Sequence, residues 1–105
     1  MKIAITSTGK DLNSNVDPRF GRCSYFVIYE TESKTYEFIE NPNKNADNGA
    51  GPASVQVVAD KGVSKIVSGE FGMKIKSLLE SLKIQMIVIK EPTKTIQDII
   101  NMFNK

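Results

Sequence analysis

The chain has 105 residues, 40% of them hydrophobic and 25% charged, which allows one domain around a single core, expected to span residues 1–105. A net charge of +2, with no basic run and no aromatic-rich platform, argues against a nucleic-acid partner, and no apolar stretch approaches the ~20 residues that a bilayer-spanning helix needs. The single cysteine, Cys23, cannot close an internal disulfide, so a reducing cytoplasm is the expected location.

Residues 2–7 read as a buried strand, and the flanking Met1 and Lys2 make a poor signal peptide. A loop rich in Gly, Asn, Asp and Ser follows over residues 8–22. Residues 24–30 and 35–40 alternate apolar and polar side chains around Thr31-Glu32-Ser33-Lys34, which predicts a hairpin. A second irregular loop covers residues 41–51, rich in Asn and ending in Gly49-Ala50-Gly51. Its lack of apolar side chains predicts mobility when no ligand is bound. Pro52 suits a first helical turn, Val55, Val58 and Ala59 make a helical stripe, and Gly62 suits the stop. After a short strand at 65–68, Gly69-Glu70-Phe71-Gly72 turns into a helix with Ile75, Leu78, Leu79 and Leu82 inward. Met73 reads as part of that helix's core. Residues 84–89 are a near-continuous apolar run, the pattern of a strand buried on both faces. Thr95 with Asp98 resembles a capping box before a last helix carrying Ile96, Ile99, Ile100 and Phe103.

The order β-β-β-α-β-α-β-α predicts a three-layer α/β fold with a mixed five-stranded sheet. The hairpin is antiparallel and the helical crossovers parallel and right-handed, so four loops should meet at one sheet edge. They are the loop at 8–22, the Asn/Gly-rich loop, the Gly69–Gly72 turn and the loop at 90–94. In open α/β sheets that is the edge where ligands bind.

Of the 14 basic residues only Arg19 and Arg22 are arginines, and both lie in Asp17-Pro18-Arg19-Phe20-Gly21-Arg22-Cys23. Arginine's planar fork binds oxyanions bidentately and stays charged at any physiological pH. The spacing alone equally allows Arg22 merely to pair with Asp17. Helix starts after Gly51 and near Gly72 would add N–H groups and positive dipole ends. Cys23, following an arginine, is expected to form a thiolate readily and is the first candidate metal ligand, or else a buried thiol, with Met73 a further candidate better read as helical core. One cysteine with no histidine cannot close a protein-only tetrahedral site.

This segment, together with Asn41, Gly49-Ala50-Gly51 and Gly69-Glu70-Phe71-Gly72 in that order, resembles the dinitrogenase iron–molybdenum cofactor-binding family, the nitrogenase accessory factors. Nitrogenase-linked members often carry a histidine in this segment, where this chain has Arg19. The resemblance implies a ribonuclease H-like topology and a small, non-enzymatic protein of metallocofactor assembly. That protein would bind or carry an anionic iron–sulfur or iron–molybdenum-type cluster. Its site would be Arg19, Phe20, Gly21, Arg22, Cys23, Asn41, Gly49, Gly51, Gly69 and Gly72. Its partners would be proteins that donate and accept the cluster, with no membrane or nucleic acid, and the chain itself a monomer or weak homodimer.

Two other functions compete. A ribonuclease H-type enzyme needs carboxylates around two metal ions, usually with one on the first strand, and residues 2–7 contain none. The lack of histidine also removes the usual base for a nucleophilic triad. A small-anion or nucleotide sensor could use the same edge.

Overall fold

A computed structural model of the chain describes residues 1–104. The strands are β1 (Lys2–Ser7), β2 (Tyr25–Glu30), β3 (Thr35–Glu40), β4 (Lys65–Ser68) and β5 (Gln85–Val88); the helices are α1 (Ala50–Ala59), α2 (Met73–Ser81) and α3 (Ile96–Phe103). They form one sheet in the order β3-β2-β1-β4-β5. Strand β2 runs antiparallel to both neighbours, whereas β4 is parallel to β1 and β5 to β4.

Alternation along the strands splits the core into two layers, because successive side chains point to opposite faces. Ala4, Phe26, Ile28 and Ile66 meet Val55 and Val58 of α1 and Ile75 and Leu79 of α2 on one face. Ile3, Ile5, Val27 and Val67 meet Ile96, Ile99 and Ile100 of α3 on the other. Burying each such side chain contributes roughly 1.5–3 kcal/mol, so both layers matter to a domain this small.

Two expectations are corrected. Helix α1 begins at Ala50, because Gly49 takes the left-handed conformation (φ 71°) and turns the chain into the helix early. Gly51 therefore lies inside the first turn. Strand β5 is an edge strand, with Gln85 exposed and Val88 45% exposed. Helices α2 and α3 shelter part of its faces, which explains the apolar run, but an apolar run does not tell a central strand from an edge.

The register places the carboxyl ends of β1, β3, β4 and β5 beside the amino end of β2, with Ser7 opposite Tyr25, Tyr25 opposite Glu40, and Ser68 opposite Val88. All three helices start from that edge. Among the described residues, no helix is long and apolar enough to cross a membrane.

Candidate functional site

Residues 17–23 form a strap across this edge. Asp17 is buried; its N–H donates to the Thr6 carbonyl (2.9 Å), and its own carbonyl accepts from Thr6 Oγ1 (2.8 Å) and the Gly69 N–H (3.2 Å). Arg19 bridges to Glu70 as in a parallel ladder. Gly69 is required by this contact, since a Cβ there would sit 2.3 Å from Pro18 Cα. The strap and the Gly69–Gly72 turn are thus one unit, as the topology required.

The arginines act differently from one another. Arg19, not Arg22, pairs with Asp17: its N–H and Nε both donate to Oδ1, at 2.9 and 3.3 Å. The buried carboxylate aims a guanidinium whose side chain remains 55% exposed. Arg22 turns toward the Asn-rich loop, where Nη1 donates to the carbonyls of Ala46 and Lys44. Much of its fork is occupied in holding that loop.

Several expected ligand contacts prove structural. Asn41 is buried, and its Nδ2 donates to the carbonyls of Gly21 (3.1 Å) and Cys23 (3.0 Å) while Oδ1 accepts from the Asn43 N–H (3.0 Å). Its side chain staples loops together and has little left for a ligand. Phe20 packs with Phe26 and Phe71, ring centroids 5.8 Å apart in each pair, so Phe20 and Phe71 belong to the core. Gly21 allows close packing: a Cβ there would lie 3.0 Å from Gly51 Cα. Ser54, which the sequence did not flag, donates to the Gly21 carbonyl (3.1 Å) from inside α1.

Cys23 corrects the expectation of an easily formed thiolate. It is fully buried, with Sγ donating to the Phe20 carbonyl at 3.4 Å. Burial, and secondarily the negative charge of Asp17, push its thiol up to about 12, so it stays protonated at neutral pH. A buried neutral thiol is a poor metal ligand. Among the described residues, no cluster of three or more His, Cys, Asp or Glu is placed to hold a metal ion.

What remains for an anion is backbone and charge. Gly49 and Gly72 cap α1 and α2 without a side-chain hydrogen bond, and neither first turn contains an acid. The two turns touch, because a Cβ on Gly51 would lie 2.6 Å from Ile75 Cδ1. Around Gly72 the space is open. Met73, expected in the core, is instead 79% exposed beside it, since the first helical position points away from the α1 contact. Lys74 and Lys76 are exposed on the same turn, and exposed Glu70 is the acid at this rim. Two clefts flank the strap. One of about 290 Å³ lies against Ser24, Tyr25, Asn41 and Lys44, and one of about 250 Å³ against Pro18, Gly69, Ile89 and Lys90.

The sequence profile of the dinitrogenase iron–molybdenum cofactor family matches residues 1–105. The chain belongs to this family. An uncharacterised protein of Methanocaldococcus jannaschii is 36% identical over 98% of this chain and 85% of its own length. The apo form of the orange protein from Desulfovibrio gigas superimposes with a TM-score of 0.88 at 30% identity, over 97% of this chain and 85% of that one. An NMR structure from Thermotoga, described as a NifB candidate of the DUF35 family, gives 0.78 at 37% identity over the same shares. The mixed five-stranded α/β fold is therefore shared with relatives, and the chain is a small family member associated by that family with metalloclusters.

Proposed function

We propose that this chain is a non-enzymatic binder and carrier of an anionic metal–sulfur cluster, of the iron–molybdenum or iron–sulfur type, in cytoplasmic metallocofactor assembly. The observation that carries the reading is the pair of touching, uncapped helix starts at the edge where the Arg19 backbone bridges Glu70 and its side chain, held by Asp17, stays 55% exposed. Unpaired N–H groups, two positive dipole ends and a fixed cation suit a compact polyanion. The cluster is cargo, held by hydrogen bonds and charge rather than by ligation, since Cys23 is buried and protonated. Donor and acceptor metalloproteins are the partners this role requires. A ribonuclease H-type enzyme would need carboxylates around two metal ions, and the acid-free β1 offers none of the kind usually placed there.

The test is anaerobic titration of extracted iron–molybdenum cofactor, and separately of a synthetic iron–sulfur cluster, into wild type, Arg19→Lys and Cys23→Ala. Arg19→Lys keeps the charge but loses the fork and should weaken binding by about 1–3 kcal/mol. Cys23→Ala should leave affinity and visible spectrum unchanged. Wild type that takes up neither cluster would refute the carrier reading. Phosphate or nucleotide binding with equal affinity would favour a sensor instead.

A further inference from the structure

The two arginines of the strap are not equally committed. Arg19 is paired with the buried Asp17 carboxylate. Arg22 is half-buried and, among the described residues, has no carboxylate at ion-pair distance. Its guanidinium donates only to the neutral carbonyls of Lys44 and Ala46. We infer that Arg22 is a latch that the cargo opens: it pins residues 42–48 in the empty chain and frees them when its fork turns to a bound anion. The inference rests on the cluster-binding reading above.

Arg22 starts from the right place to make that turn. A Cβ on Gly21, the preceding residue, would lie 3.0 Å from Gly51 N, so the strap runs against the first turn of α1 at this point. The loop carbonyl of Ala46 lies only four residues before Ala50, where α1 begins. The fork therefore sits between two acceptors, the loop carbonyls and whatever anion occupies the helix starts. A bond between guanidinium and anion is charged on both sides and roughly twice as strong as one between neutral groups, so the anion wins. Little else holds the loop. None of residues 42–48 is buried. Asn43, Lys44 and Ala46 donate their N–H groups only to Asn41 and Asn43, within the loop itself. Among the described residues, Arg22 alone ties 42–48 by hydrogen bonds to the chain outside it. The loop's Lys44 and Asp47 offset each other, so no net attraction to the anion replaces the lost bonds. Conformational entropy then favours release. Pro42, Lys44 and Asn45 wall the cleft of about 290 Å³ beside Ser24 and Tyr25. The loaded chain thus shows an acceptor protein a surface that the empty chain keeps covered.

Millisecond hydrogen–deuterium exchange read by mass spectrometry tests this on peptides covering residues 42–49, with uptake of extracted iron–molybdenum cofactor followed anaerobically by absorbance. Loading wild type should speed exchange in these peptides by at least about fivefold, the weight of two lost hydrogen bonds. Arg22→Met keeps the aliphatic stem without a donor, and its empty form should already exchange at the loaded rate. Empty Arg19→Lys should exchange like empty wild type. Uptake by wild type without faster exchange overturns the latch and leaves the carrier reading standing. So does an empty Arg22→Met chain, folded by circular dichroism, that exchanges as slowly as wild type, or an Arg19→Lys chain loosened as much. Wild type that takes up no cofactor removes the carrier reading and the latch together.

Discussion

Helix α3 and the pair α1–α2 start from the same edge of the same sheet and are finished in opposite ways. Thr95 Oγ1 accepts from the Asp98 N–H (3.1 Å) and Asp98 Oδ2 from the Thr95 N–H (3.0 Å), a complete capping box with an acid in the first turn. Helices α1 and α2 have glycine caps, no side-chain acceptor and no acid. Capping is worth about 0.5–2 kcal/mol, and an acid near the N-terminus adds a few tenths more. The chain uses this where a helix only has to be stable and omits it where the strap brings Arg19. That is the pattern expected if the bare turns receive an anion from outside.

The sharpest way to break this comparison is to disturb the strap. Gly69→Ala drives a Cβ into the Pro18 backbone, and urea unfolding should show a loss of about 1–3 kcal/mol. Gly72→Ala meets nothing and should shift stability by less than about 0.5 kcal/mol. Equal costs at the two glycines would contradict the distinction between a packing glycine and an open one. Next in size is Thr95→Ala, which should cost about 1 kcal/mol while leaving cluster affinity intact. Since the Thr95 N–H holds the Asp98 carboxyl below its ordinary value of 3.8, that helix's extra stability is present above this pH. It should fade as pH falls below it, read by amide exchange in the first turn of α3.

Cys23 gives a pH test of opposite sign. A thiol raised from 9.0 to about 12 in the folded chain contributes full stability below pH 9, lost as pH rises toward 12. Thermal unfolding of wild type against Cys23→Ala across that window should show the difference shrinking with pH. Disulfide-exchange reagents should label Cys23 in the native protein far more slowly than after unfolding, and fast native labelling would put the sulfur back at the surface.

Much of the fold was legible because strand and helix periods were unambiguous, and the capping box and hairpin announced themselves. The position of β5 was not, since covered faces and a free edge produce the same apolar run. At the site, the meeting of four loops at one sheet edge followed from topology. The partners within the strap did not. Nothing in the spacing says that Asp17 selects Arg19 over Arg22, that Asn41 spends its amide on two carbonyls, or that Cys23 points inward. Those choices are made by backbone approach, of Gly21 on Gly51 and of Gly69 on Pro18, which a one-dimensional pattern does not record.

The most direct test of the central claim is Gly72→Asp. The extended backbone at Gly72 (φ −69°, ψ 160°) suits an N-cap side chain, so aspartate should cap α2 and raise stability by a few tenths of a kcal/mol or more. It would also fill the open turn with a negative charge. Anaerobic titration with extracted iron–molybdenum cofactor should then show affinity reduced at least about tenfold in a protein no less stable than wild type. Undiminished binding by that variant would contradict the account.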